Sequence, residues 1–147
     1  MTEQEMIEAA RAARNNAYAP YSGFRVGACL MTEDGQVYTG CNVESVSFTP
    51  TCCAERTALF TAVAAGERHF SAVAVACDGQ RPAWPCGVCR QALAEFSTDM
   101  TVLAAGESGG WQKTTLNELL PHAFTEFRTE ADNVGEATLG VPNGGRP

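Results

Sequence analysis

An α/β sandwich is the fold class predicted by this 147-residue chain, and three observations carry the prediction. Segments with helical and with strand-like periodicity alternate along it. Its first two strand-like runs are joined by Thr32-Glu33-Asp34-Gly35, whose Asp-Gly suits a tight antiparallel hairpin. Two cysteine-bearing pieces, Cys52-Cys53-Ala54-Glu55-Arg56 and Pro85-Cys86-Gly87-Val88-Cys89-Arg90-Gln91, each open a helical segment. The length suits one domain with a real core.

The elements follow in order. Thr2 with Glu5 is a capping box, and Met6, Ile7, Ala10, Ala13 and Ala17 recur at helical spacing, which predicts a helix over residues 3–17 closed by Pro20. Strands are predicted over 24–31 and 36–41, then a loop over 42–51 carrying Pro50. Residues 54–65 read as a helix stopped by Gly66, and 71–77 as a buried strand. A third helix follows over 87–96, then strands over 100–105 and 111–114, and a short helix from the Thr115 cap to Leu120 before Pro121. After about Thr129 the pattern fails. Gly135, Gly140, Pro142, Gly144, Gly145 and Pro147 predict a flexible tail over 129–147 behind a single folded domain over 1–128.

Composition narrows the function. With 45% hydrophobic and 18% charged residues the chain is globular, and no apolar run reaches the length of a membrane span. The acidic start Met1-Thr2-Glu3-Gln4-Glu5 is unlike a secretory signal, so a cytoplasmic location is expected. Seven cysteines then read as free thiols or metal ligands, with Cys29, Cys41 and Cys77 as small core residues. A net charge of -7 argues against a grip on the nucleic-acid backbone, which needs a basic patch; small neutral substrates remain.

Cys53, Cys86 and Cys89 offer three thiolates, the soft donors zinc prefers, and a three-ligand set leaves a fourth position open for catalysis. Both pieces lie at helix starts, where free N–H groups and the positive dipole end favour thiolate over thiol. Three thiolates on Zn²⁺ leave a net negative charge, which Arg56 can offset by donating to the sulfurs. Glu55 is a carboxylate beside the site, suited to moving protons. An ideal helix puts it roughly 200° around the axis from Cys53, so spacing alone leaves convergence open. The competing readings are a redox C-x-x-C, buried structural thiols, and a structural zinc with Cys52 as fourth ligand. His69 and His122 have no ligand spacing to the cysteines.

These pieces, together with Tyr18-Ala19-Pro20-Tyr21-Ser22-Gly23-Phe24-Arg25-Val26-Gly27-Ala28, Gly40-Cys41-Asn42-Val43-Glu44 and Leu119-Leu120-Pro121-His122-Ala123-Phe124, resemble the small homotetrameric cytidine deaminases from about Ala17 to Phe124. The resemblance implies a three-layer α/β/α sandwich with a five-stranded mixed sheet, and pockets closed by loops around Phe48 and Phe124 of neighbouring subunits. It implies one Zn²⁺ per chain and hydrolysis of cytidine and deoxycytidine to uridine and deoxyuridine with release of ammonia, in pyrimidine salvage. It further implies that Phe24 packs on the pyrimidine, that Asn42 and Glu44 hold the ribose 3′-hydroxyl, and that Ala54 meets the base through its backbone. Taken without the resemblance, Phe24 reads first as a core residue and Asn42 and Glu44 as ordinary loop polars. The alternative substrate is a nucleoside antibiotic of the blasticidin type, since Ser45-Val46-Ser47-Phe48 differs from the family's usual Asn, small residue and Tyr. A non-catalytic zinc protein is the rival from another class.

Overall fold

A computed structural model of the chain describes residues 1–127. The expected domain boundary at 128 and the flexible tail over 129–147 therefore lie outside the described residues. The elements are α1 (Glu3–Arg14), β1 (Val26–Thr32), β2 (Val37–Cys41), α2 (Ala54–Ala64), β3 (Phe70–Cys77), α3 (Gly87–Ala94), β4 (Thr101–Ala105), β5 (Trp111–Thr115) and α4 (Leu116–Leu119).

The five strands form one mixed sheet in the order β2-β1-β3-β4-β5, with β3 and β4 parallel and every other pair antiparallel. The hairpin is as expected: Gly35 takes φ 88 and its N–H donates to Thr32 O, which fixes the register Leu30 to Tyr38. The sheet carries helices on both faces, which gives the three layers.

The alternation of β3 sorts the two faces. Its alanines Ala72, Ala74 and Ala76 join Cys29, Leu103 and the α1 residues Met6, Ile7 and Ala10 on one side. Its valines Val73 and Val75 join Leu30, Val102, Leu59, Leu93 and Leu116 on the other, under α2, α3 and α4. Strand period 2 makes this division automatic. Small residues let α1 lie close: a Cβ on Gly27 would meet Ala10 O and Arg14 N. The valine side holds the larger cluster, and each fully buried Leu or Val there contributes about 1.5–3 kcal/mol relative to exposure. That side also carries both cysteine pieces, so the strongest packing lies beneath the site.

Several boundaries differ from expectation. The first helix ends at Arg14 rather than at residue 17, because Tyr18 N–H must reach Asn42 O and Tyr18 O must accept from Glu44 N. Phe24 and Arg25 stand outside β1: the Phe24 carbonyl accepts from the Asn42 side chain, and Arg25 N–H donates to Asp78. The third helix stops at Ala94, two residues short of Phe96, and α4 stops at Leu119. All seven cysteines are free, with Cys29 and Cys77 buried and Cys41 half-buried. Among the described residues no helix is long and apolar enough to cross a membrane.

Candidate active site

The two cysteine pieces converge because they use one backbone device twice. Cys53 is the N-cap of α2 and Cys86 the N-cap of α3, both extended, and neither side chain makes a capping hydrogen bond. Their sulfurs are left free for another partner. A residue three positions on, at N3, folds back beside its N-cap, as capping boxes exploit. At α3 that residue is Cys89; at α2 it is Arg56.

The Sγ atoms of Cys53, Cys86 and Cys89 lie within 4.8 Å of one another, and Cys53 Sγ stands 3.9 Å from Cys86 Sγ. Sulfurs bound at about 2.3 Å in a tetrahedral zinc site are about 3.8 Å apart. Donor type, number and spacing therefore fit zinc. Cys52 is not in the cluster; its backbone is paired with Val43. That removes the expected rival in which Cys52 closes the coordination, and neither His69 nor His122 joins the set. Three donors among the described residues leave one tetrahedral position.

Glu55 is buried, 5% exposed, at the second helical position of α2. It reaches the sulfurs because Cys53 is extended rather than helical, φ -69 and ψ 156, so helical geometry does not govern the step from 53 to 55. Burial raises its carboxyl to about 7, and it shares a hydrogen bond with Cys89. Its oxygens are nonetheless outside the set of mutually close donors, as suits a proton carrier rather than a ligand.

The crowded sulfurs of Cys53 and Cys89 differ in how firmly they hold a proton. Cys89 donates to Cys53, and this bond, aided by Arg56 against the cost of burial, holds the Cys53 thiol below its ordinary value and pushes Cys89 up. Arg56 Nη2 donates to Cys53 Sγ at 3.5 Å, and this bond raises the guanidinium further above its ordinary value. The cation lies where negative charge on sulfur must be offset.

The residues expected at the substrate end lie together. Asn42 is buried, its Oδ1 accepting from Val26 N–H at 2.8 Å and its Nδ2 donating to Phe24 O at 2.8 Å. Glu44 accepts from Tyr21 N–H, Ser22 N–H and Ser22 Oγ. Phe24 is not core but 43% exposed. Ala54 is buried as the first residue of α2, with its backbone among the N–H groups that a helix start leaves without internal partners.

Sequence reasoning missed three anchors. Ser22 bonds both Glu44 and Phe24 N–H. Arg90 Nε donates to Pro85 O at 2.6 Å and Nη1 to Leu119 O at 2.8 Å, tying the loop before Cys86 to α4. Gln91 Nε2 donates to Phe124 O. The available signal was the Arg-Gln pair directly after the cysteines; its long-range acceptors are backbone atoms, which sequence does not mark.

Comparison with known proteins agrees with this geometry. The family described as the cytidine and deoxycytidylate deaminase zinc-binding region matches residues 1–105. The chain is 46% identical over 127 residues to a cytidine deaminase of Sporosarcina psychrophila, covering 86% of this chain and 93% of that one. A crystal structure of cytidine deaminase from Burkholderia pseudomallei superposes with a TM-score of 0.81 at 50% identity, over 84% of this chain and all 100% of that one. A blasticidin-S deaminase of Bacillus cereus is more distant, 30% identical over 108 residues, covering 68% of this chain and 76% of that one. The chain belongs to the zinc-binding cytidine deaminase family.

Proposed function

We propose that the protein hydrolyses the 4-amino group of cytidine and deoxycytidine, giving uridine or deoxyuridine and ammonia, as a cytoplasmic enzyme of pyrimidine salvage. The observation that carries this reading is the three-sulfur cluster at two helix starts with the buried, non-ligating Glu55 beside it. Cys53, Cys86 and Cys89 would hold one Zn²⁺ per chain. Bound there, zinc supplies the Lewis acidity that makes water a nucleophile near neutral pH.

Glu55 takes a proton from the attacking water and returns protons to the ring nitrogen and the leaving amine, so that water adds at C4 and ammonia departs. Its raised carboxyl suits both directions of transfer. Arg56 offsets thiolate charge through Cys53. Phe24 packs on the pyrimidine, the Ala54 backbone meets the base edge, and Asn42 and Glu44 hold the 3′-hydroxyl. Glu44 has room for this: a carboxylate offers about four acceptor positions, and three are used.

Tyr21, Phe24, Val46, Phe48 and Phe124 are exposed apolar residues of the loops that carry or adjoin these groups. Phe48 takes φ 61, a conformation that costs a bulky residue energy and is kept where function needs it. These residues support a homotetramer in which neighbouring copies close each pocket. The same carboxylate at the 3′-position, with a net charge of -7, disfavours a 3′-phosphate and hence nucleic-acid polymers.

The test is ammonia release by the zinc-loaded protein from cytidine, deoxycytidine, cytosine, a cytosine-containing oligonucleotide and blasticidin. Turnover of the two nucleosides with little on the others is expected. Preferential turnover of blasticidin would substitute the antibiotic reading, and inertness toward all five would leave a structural zinc protein.

A further inference from the structure

We propose that Ser22 is a positioning residue that couples the sugar contact at Glu44 to the base-packing ring of Phe24. The inference rests on the substrate roles proposed for those two residues and adds a third that neither the motif nor the fold assigns.

Phe24 is 43% exposed, so packing alone does not fix where its ring stands. Its peptide groups are gripped instead. Its N–H donates to Ser22 Oγ at 3.0 Å, and its carbonyl accepts from Asn42 Nδ2 at 2.8 Å. Gly23, at φ 67, makes the turn that brings Ser22 Oγ under the Phe24 amide, a conformation glycine adopts at no steric cost. The Ser22 hydroxyl proton goes to Glu44 Oε2 at 2.5 Å, while Tyr21 N–H and Ser22 N–H, at 3.0 Å and 3.1 Å, occupy Oε1. One hydroxyl thus accepts from the residue that packs on the base and donates to the residue that reads the sugar.

Such a chain is cooperative. Donation to a full negative charge polarises the hydroxyl and makes its oxygen a better acceptor for Phe24 N–H. A substrate hydroxyl on the remaining acceptor position of Glu44 draws on the same charge and shifts the same bonds. Sugar occupancy is thereby felt at the Phe24 backbone through two hydrogen bonds. Binding energy from a non-reacting part of the substrate is used in this way to orient the reacting part.

The decisive comparison is kcat/KM on cytidine and on 3′-deoxycytidine for wild type, Ser22→Ala and Ser22→Thr, with zinc content and melting temperature recorded for each. Ser22→Ala should lose about tenfold on cytidine, the loss typical of one charge-assisted hydrogen bond, and less than about twofold on the 3′-deoxy substrate. Ser22→Thr keeps the hydroxyl and should stay within about threefold of wild type on both, by the same accounting. If Ser22→Ala does not fold, Ser22→Cys, with a weak donor, should give a smaller loss with the same asymmetry. Equal losses on the two substrates, or no loss on either, would overturn the coupling while leaving the deaminase reading intact. A wild-type enzyme that turns over both substrates equally well would remove the sugar contact itself, and the coupling with it.

Discussion

The N-termini of α2 and α3 share a backbone and differ in what they present and how they are held. Both begin with an extended cysteine whose sulfur makes no capping bond. At α3 the N3 position adds a second sulfur, so this end presents little besides metal-ligand chemistry. At α2 the N3 position is Arg56 and the residue between is Glu55, so this end supplies one sulfur together with the acid and the cation. The anchoring differs as well. A Cβ on Gly40 would stand 2.6 Å from Ala54 O and closer to Ala58 N, which means that α2 lies against β2 by backbone contact. By contrast, α3 is tied by side chains, Arg90 to Pro85 O and Leu119 O and Gln91 to Phe124 O, with Leu93 in the core beneath. The end that carries Glu55 is fixed by backbone contact; the end that carries two sulfurs is fixed by side chains.

Substitutions at the two ends should therefore fail differently, and the largest failure belongs to α3. Cys89→Ala removes a buried ligand, and both zinc and turnover should be lost in metal analysis and the ammonia assay. Full zinc in that variant would mean that the cluster is not the binding site. Next comes the backbone contact: Gly40→Ala overpacks α2 against β2 and should cost about 3 kcal/mol in denaturant unfolding. A loss below about 0.5 kcal/mol would show that α2 is free to retreat, and the contrast in anchoring would fall. The smallest expected effect is that of Arg56→Gln, which leaves the three sulfurs in place. It should lower metal affinity or activity about 10- to 100-fold without abolishing either, measured by chelator competition and initial rates. Loss as complete as that of Cys89→Ala would make the cation part of the clamp instead of its adjuster.

Much of this contrast is legible in the sequence. Cysteine and helix-start signals coincide at both ends, the Thr2 capping box and the hairpin turn are local, and the Ala/Val alternation of β3 marks a strand buried on both faces. The rest depends on partners distant in the chain. Helical spacing leaves the meeting of Glu55 with Cys53 open, because it does not show that the N-cap residue is extended rather than helical. The early end of α1 follows from Tyr18 pairing with Asn42, 24 residues on. Ser22 looks like a turn residue until Glu44, 22 positions away, is brought beside it. Asn42 and Glu44 could be read as loop polars or as ligand contacts; their hydrogen bonds to the 21–26 segment give them a framework role whatever they bind.

The proposed site divides its labour: three cysteines would bind the metal and Glu55 would move the proton. This division is tested most directly by measuring zinc content and cytidine turnover on one preparation of Glu55→Gln, which keeps the shape of the side chain and removes the base. One zinc per chain is expected, as in the unaltered protein, with turnover lowered at least 10²- to 10⁴-fold, the range typical of a lost general base. Loss of zinc from that preparation would make Glu55 a ligand, and retained turnover would put the proton transfer elsewhere; either result contradicts the assignment.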